Sequence, residues 1–295
     1  MKVLKRTVQG LSFLAIFIGV VVLTGTLKGE NGYYYGQYFF DALLIIVMSV
    51  ALYEMICATK AGGYSPQVIP LCIILVLSYP TVKLFDIFLG NGYHGIFTLL
   101  IVSILLLFLF YVFDSKVTFN NFMVSLFLFF YPILPLTIAF QIINQFGMIP
   151  LLLALGAAMM ADAFAYYFGS LIKGPKIFPK ISPNKTYSGF IMGLVGGAVG
   201  AIIVYAMFEL APIPLNRIVV FSEKYNPWIF YPIIGIVLGL IGEIGDLIAS
   251  RIKRCMEIKD FGKILGSHGG IIDRLDSLLF TVVFMAVFMS FTSFG

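Results

Sequence analysis

Nine stretches of about 20 mostly apolar residues run through this chain, and each is long enough to cross a bilayer as a helix. Inside lipid a chain must satisfy its backbone hydrogen bonds internally, which leaves only helices or a closed barrel. Runs of this length favour helices. We therefore predict an all-α, polytopic transmembrane protein. The predicted spans are 8–27, 38–59, 67–89, 93–113, 121–145, 148–172, 188–211, 228–250 and 277–294.

The composition excludes a soluble globular domain. The 295 residues are 60% hydrophobic and 11% charged, whereas a soluble domain carries about 25% charged residues. Lys2, Lys5 and Arg6 precede the first apolar run, as in a signal peptide. No small-residue cleavage site follows, and the apolar pattern continues to Leu27. We expect this first helix to be retained.

Basic residues are distributed unevenly between the two ends of the predicted spans. If the N-terminus is cytoplasmic, only four of the 19 basic residues fall on the outer side: Lys28, Lys83, Arg217 and Lys224. Cytoplasmic loops are enriched in Lys and Arg, so the sequence predicts a cytoplasmic N-terminus in the cytoplasmic membrane. The two long loops, 173–187 and 251–276, then face the cytoplasm.

The chain divides into two predicted regions. Residues 1–147 are predicted to anchor the protein and to offer the lipid a route of entry. Residues 148–295 hold the polar loops and form the predicted catalytic region. Pro132 and Pro135 predict a kink in the fifth span. The glycines of the seventh span, at 193, 196, 197 and 200, are typical of a close helix-packing face.

The end of the eighth span carries the first candidate group. Asp246, Ser250 and Arg254 are spaced four residues apart and share one helix face. A carboxylate near the membrane boundary is costly unless it is paired or bound to a metal, which makes Asp246 a functional candidate. A salt bridge to a basic residue at the helix end is the alternative.

The following loop has the features of a phosphate-binding segment. Lys259 and Lys263 are flanked by glycines that allow the loop to close on an anion. The turn His268-Gly269-Gly270 directs backbone N–H groups outward just before a helix, which favours anion binding. His268 itself is suited equally to phosphate binding, proton transfer or a hydrogen bond within the turn.

Two further carboxylates begin the ninth span. Asp273 and Asp276 are three residues apart and face one way, although acidic residues there also complement the helix dipole. With Asp246 they place three carboxylates at one membrane face. Hard oxygen ligands of this kind suit Mg²⁺. Carboxylate-bound Mg²⁺ among basic residues indicates phosphoryl or nucleotidyl transfer.

Three segments resemble motifs of the CDP-diacylglycerol synthase family, the phosphatidate cytidylyltransferases. The 162–169 helix resembles D-x-x-A-Y-x-x-G, and the 182–189 loop resembles S-P-x-K-T-x-E-G. Ser188 stands where the family usually has Glu, and Tyr187 where Trp is common. The family signature is matched by Ser250-x-Ile252-Lys253-Arg254-x4-Lys259-Asp260-x-Gly262-x2-Leu265-Gly266-x-His268-Gly269-Gly270-Ile271-x-Asp273-Arg274-Leu275-Asp276.

The resemblance implies that CTP and phosphatidate react at the cytoplasmic membrane face to give CDP-diacylglycerol and pyrophosphate. It implies catalytic roles for Asp246, Asp273, Lys259 and Arg274, and Mg²⁺ ligation by Asp246, Asp273 and Asp276. The implied substrate-binding residues are Lys185, Thr186, Ser250, Lys253, Arg254, Lys263, His268, Gly269, Gly270 and Asp162. A second cation such as K⁺ and a homodimer stay open, and no nucleic acid is expected as a partner.

The residues alone allow other interpretations. Asp162 could form a structural hydrogen bond to Tyr166 or to another polar neighbour, and Lys185 could belong to a solvated basic loop. A CTP-dependent lipid kinase would transfer the γ-phosphoryl group instead, and an ether lipid could replace phosphatidate. A transporter would place its polar residues near the midplane, whereas here they gather at one face. Asp246→Asn and Asp273→Asn are expected to abolish turnover without unfolding the protein, and Asp41→Asn to change little.

Overall fold

The computed structural model describes residues 19, 21–27, 35–90, 93–179, 181–183, 185–211, 218–266 and 269–292. Within them lie eight helices that are long and apolar enough to cross a membrane. They are α1 Gln37–Ala61, α2 Val68–Leu89, α3 Tyr93–Phe113, α4 Phe119–Phe146, α5 Met148–Ile172, α6 Tyr187–Leu210, α7 Pro227–Cys255 and α8 Ile272–Thr292. These helices confirm the all-α prediction and eight of the predicted spans. The first predicted span, 8–27, lies mostly outside the described residues.

The last two helices extend beyond the predicted spans. Helix α7 continues to Cys255 rather than ending at 250, and its last turn carries Lys253 and Arg254. Basic side chains are favourable there because they complement the helix dipole. Helix α8 begins at Ile272, not at 277, with Asp273 in its first turn. Hydropathy marks only the apolar part of a helix, while backbone hydrogen bonding continues into the polar ends.

The predicted kink in α4 is confirmed. Residues Phe129–Ile133 form a π-helical turn, in which Tyr131 has φ −125° and ψ 30°. Pro132 has no N–H to donate to the preceding turn, which explains the break in the α-helical pattern. Because this turn is buried, the kink redirects side chains inside the helix bundle.

Helices α5, α6 and α7 pack with their backbones almost in contact, as the glycines predicted. A Cβ added at Gly197 would collide with the carbonyl of Gly235 on α7. One added at Gly200 would collide with the carbonyl of Gly156 on α5. Small residues are what permits such close approach between helices in lipid. This packing brings polar residues of the three helices close together.

Polar contacts also join α1, α2 and α4. The hydroxyl of Tyr79 donates to Oδ2 of Asp41 at 3.0 Å. Lys83 Nζ and Gln37 Nε2 both donate to Oδ1 of Asn144, at 2.7 and 2.6 Å. Asp41 is only 2% exposed. Asp41→Asn is therefore expected to weaken this helix contact. That it changes turnover little stays a prediction.

The predicted boundary between 147 and 148 falls at a sharp turn. Gly147 has φ 82° and separates α4 from α5 directly. Positive φ is readily adopted by glycine, which has no Cβ. Helix α8 nevertheless packs against α4 as well as against α5 and α7, so residues from both sides of the boundary can reach one site.

Candidate active site

Lys185 lies in the loop between α5 and α6, and its ammonium group meets two carboxylates of α7. Its Nζ is 2.5 Å from Oε2 of Glu243 and 2.8 Å from Oδ2 of Asp246. It also donates to the carbonyl oxygen of Glu243 at 3.1 Å. Glu243 is fully buried, and a buried carboxylate needs such a partner. Asp246 thus pairs with Lys185 and, among the described residues, forms no salt bridge with the basic end of α7.

The charge of Lys185 is stabilised by this pairing. Burial on its own lowers the pKa of Lys185, whereas the carboxylates of Asp246 and Glu243 raise it, and the pKa ends above its ordinary value. The lysine therefore stays protonated throughout the neutral range. Because folding raises this pKa, the stability that the pairing adds is present at neutral pH and is lost as the pH rises through the raised pKa.

Local contacts hold the loop that presents Lys185. Lys176 and Thr186 form an antiparallel bridge across the loop. Thr186 also begins α6, because its Oγ1 accepts a hydrogen bond from the N–H of Gly189 at 3.1 Å. A threonine at this position satisfies an otherwise unpaired donor of the first turn. Thr186 is buried, so the structure gives this predicted substrate-binding residue the contacts of a helix cap.

Ser188 occupies the position where the resembling motif usually has Glu. Its hydroxyl donates to the carbonyl oxygen of Lys173 at 2.5 Å and lies 3.1 Å from Oγ1 of Thr186. It therefore closes the loop and does not contact Lys185. The acidic partners of Lys185 come from α7 instead, and Glu243 is one that sequence reasoning missed.

Two more carboxylates approach this ion pair from α5 and α8. Oδ2 of Asp162 accepts from the hydroxyl of Ser277 at 3.1 Å, and not from Tyr166, which is 74% exposed. Asp276 is buried, and the charges of Asp246 and Asp162 both act on it. Asp162 keeps exposed surface, and the charges of Asp246, Glu243 and Lys185 act on it. We call Asp162, Glu243, Asp246 and Asp276 the acidic cluster.

Asp273 makes a separate set of contacts. Its Oδ1 accepts from Lys253 Nζ at 2.8 Å, and its Oδ2 accepts from the N–H groups of Phe261 and Gly270 at 2.8 and 3.0 Å. Both oxygens are thus occupied, and the N–H of Gly270 is turned toward Asp273. In this structure Asp273 ties the loop between α7 and α8, residues 256–271, to the end of α7. An asparagine at position 273 would point its amide N–H groups at one of these hydrogen-bond donors. This mismatch would loosen the loop.

The same loop is also held by Glu54 of α1. Oε2 of Glu54 accepts from the N–H of Ile272 at 3.1 Å, across 218 residues of sequence. A Cβ added at Gly262 or at Gly270 would collide with this carboxylate, so a side chain at either position would displace it from its present place. Sequence reasoning missed Glu54. Its one signal was an acidic residue inside an apolar helix, which is costly without a partner.

Glu54→Gln should loosen the 256–271 loop. The substitution keeps the shape of the side chain but removes the charge that attracts the loop amides, and a hydrogen bond to a charged group contributes about 1.5–3 kcal/mol. We expect faster tryptic cleavage at Lys259 and Lys263, which are exposed in this loop, and lower turnover. Glu223→Gln, at an exposed glutamate, is the matched control. An unchanged cleavage rate at both lysines would contradict this role of Glu54.

The remaining predicted residues differ in their exposure. Ser250 is half-buried on α7, and Gly269 has φ 80°, which a glycine tolerates. His268 lies outside the described residues. The exposed predicted residues are Arg254, Lys259, Lys263 and Arg274. The structure thus brings Asp162, Lys185, Asp246 and Asp276 together.

The acidic cluster has the donor chemistry for Mg²⁺. Its four carboxylates are accompanied by one paired lysine, so a cation would offset the excess negative charge. Carboxylate oxygens are the ligands that Mg²⁺ prefers. Among the described residues, no three acidic, His or Cys side chains are already close enough to hold a metal. Asp162, Asp246 and Asp276 fit best, since both oxygens of Asp273 are occupied by hydrogen bonds.

Comparison with known proteins gives consistent matches. The model of the cytidylyltransferase family matches residues 5–292. The phosphatidate cytidylyltransferase of Bacillus subtilis (strain 168) is 29% identical over 285 residues, which cover 95% of each chain. That of Staphylococcus saprophyticus is 34% identical over 143 residues, 48% of this chain and 50% of the relative. That of Staphylococcus aureus (strain COL) is 35% identical over 130 residues, 44% and 45% of the two chains.

Proposed function

Because the chain belongs to the cytidylyltransferase family over nearly its whole length, we propose that it converts CTP and phosphatidate to CDP-diacylglycerol and pyrophosphate in phospholipid biosynthesis. One observation of the structure carries this proposal. Side chains from all three motif segments, 162–169, 182–189 and the region ending at 276, meet around Lys185. Segments far apart in sequence converge on one group of charges, as a shared reaction site requires.

The position of this site suits one soluble and one lipid substrate. The acidic cluster lies toward the polar ends of membrane-spanning helices, beside two loops rich in basic residues. A lipid phosphate can reach such a site while its acyl chains stay in the bilayer, and CTP can enter from water. We propose that this side faces the cytoplasm. The proposal is supported by the concentration of Lys and Arg in these loops.

The reaction is an in-line displacement at phosphorus. An oxygen of the phosphate monoester forms a bond to the α-phosphorus of CTP, and the bond to the β-phosphate oxygen breaks with its electron pair leaving on pyrophosphate. The nucleophile is already an anion, so general-base catalysis adds little. The barrier arises mainly from bringing two polyanions together and from charge on the leaving group, so positioning and electrostatic stabilisation dominate.

We assign roles to the residues on this basis. Lys185 supplies a fixed positive charge beside the reacting phosphates, held in place by Glu243 and Asp246. Asp162, Asp246 and Asp276 would hold Mg²⁺, which when bound would neutralise phosphate oxygens. The exposed Lys259, Lys263 and Arg274 would offset the remaining negative charge. Asp273 and Lys253 keep the 256–271 loop in position for this.

CTP labelled on its α-phosphate tests the proposed reaction. Purified protein in detergent with phosphatidate and Mg²⁺ should move the label into a chloroform-soluble product and release unlabelled pyrophosphate. EDTA should prevent this, because the carboxylates would lose the cation that lets phosphate approach. Lipid-linked label that forms equally with EDTA would contradict the proposed metal dependence.

Two further outcomes distinguish other functions. Label transferred to lipid only from γ-labelled CTP, with CDP as the second product, would establish a lipid kinase. No transfer from either label would contradict both enzyme assignments. An ether-linked phosphatidate analogue tested in parallel identifies the preferred lipid backbone.

A further inference from the structure

The kink in helix α4 carries a buried tyrosine on the side of the acidic cluster. Tyr131 lies in the π-helical turn of Phe129–Ile133, where the backbone departs from α-helical angles. Its side chain is only 5% exposed. π-Helical turns inside α-helices are frequent at functional sites, because they redirect one side chain without ending the helix.

The hydroxyl group of Tyr131 has no hydrogen-bond partner in the part of the chain that the structure describes. A buried hydroxyl without a partner is unfavourable, and tyrosine O–H groups usually find one when buried. The charges of Asp276, Asp273 and Asp246 nevertheless act on this phenol, so it lies near them without bonding to any. A buried donor without a partner among the described residues is thus held within electrostatic range of these carboxylates.

Aromatic packing keeps the ring in this position. The ring of Phe127 stacks on Tyr131 with centroids 5.4 Å apart and an interplanar angle of 14°. Phe280 of α8 also packs against Tyr131, with the two ring centroids 6.1 Å apart. Offset stacking of this kind limits the freedom of the ring. The position of the hydroxyl is therefore determined by the fold and requires no ligand to set it.

We infer that the hydroxyl of Tyr131 donates a hydrogen bond to a phosphate oxygen of a substrate bound at the acidic cluster. A phenol with an ordinary pKa of about 10 carries its proton at neutral pH and can donate to an anion. Hydrogen bonds to ionised acceptors are stronger than those between neutral groups. This contact rests on the proposed function, and it gives the N-terminal half of the chain a direct part in substrate binding.

Tyr131→Phe tests the contact because it removes one oxygen and keeps the ring. We expect kcat/KM to fall about 10- to 100-fold, the loss typical of one hydrogen bond to a charged group. The melting temperature in detergent without substrate should stay the same or rise, since an unpartnered buried hydroxyl is removed. A rise in the KM for CTP alone assigns the contact to the nucleotide, and a rise for phosphatidate alone assigns it to the lipid. A fall in kcat with both KM values unchanged assigns it to the transition state.

Tyr79→Phe is the matched control. The Tyr79 hydroxyl donates to the buried Asp41 and contacts no residue of the acidic cluster. Its loss should lower the melting temperature and leave kcat/KM unchanged, the opposite pattern to Tyr131→Phe. Unchanged kcat/KM in Tyr131→Phe would overturn the inference, as would a fall in melting temperature that accounts for its lost activity. An inactive wild-type protein would instead contradict the proposed function.

Discussion

Asp246→Asn should reduce turnover by at least about 100- to 1000-fold, the range seen when a preorganised charge-stabilising group is lost. Asp246 pairs with Lys185 at 2.8 Å and lies among the carboxylates that would hold Mg²⁺. Asparagine keeps the size of the side chain but removes the negative charge. Lys185 keeps its second partner, Glu243, so the fold should persist. Label transfer from CTP and the melting temperature in detergent would be measured together.

Asp114→Asn is a suitable control because Asp114 is an exposed acidic residue in the loop before α4. It should retain wild-type turnover. Asp273→Asn adds a second comparison, since Asp273 holds backbone N–H groups of the 256–271 loop. It should both lower turnover and speed tryptic cleavage of that loop, whereas Asp246→Asn should leave cleavage unchanged. Wild-type turnover in Asp246→Asn would remove this residue from the reaction.

Lys185→Met should abolish turnover and destabilise the protein. The substitution leaves the fully buried carboxylate of Glu243 without its counter-charge. Removing one partner of a buried ion pair costs about 3–5 kcal/mol. The melting temperature should therefore fall clearly, and loss of activity in this variant alone would not separate catalysis from stability.

The double variant Lys185→Met with Glu243→Gln separates these effects. Neutralising Glu243 removes the buried charge, so most of the lost stability should return. Turnover should remain absent, because the positive charge beside the phosphates is still missing. Glu243→Gln alone should keep measurable turnover, since Lys185 retains its pairing with Asp246. Recovery of turnover in the double variant would show that Lys185 acts only as the counter-ion of Glu243.

The sequence was sufficient to predict the helices, because hydropathy and helix-breaking residues are local properties of the chain. Runs of apolar residues predicted eight of the described helices, and Pro132 predicted the kink in α4. Polar ends were predicted less well, as α7 and α8 show. Their charged ends, near Lys253 and Asp273, are helical but lack the apolar character on which the prediction relied.

Part of the site was also predictable, since its motifs are short and rich in fixed polar residues. Asp162, Lys185, Asp246 and Asp276 were chosen from these motifs, and the structure brings them together. The motif could not show that Asp273 has both oxygens occupied. Its partners Lys253, Phe261 and Gly270 are recognisable only once the loop has folded.

The sequence by itself thus determined that this is a helical membrane protein with one polar face carrying a nucleotidyl-transfer motif. Only the tertiary structure decided which side chains complete the site. Glu54 and Tyr131 come from helices that the sequence predicted to anchor the chain and to offer the lipid a route of entry. Glu54 reaches a backbone N–H that is 218 residues away, and the importance of Tyr131 depends on a kink that turns it inward. Contacts of this range depend on how helices pack, which no local pattern of residues encodes.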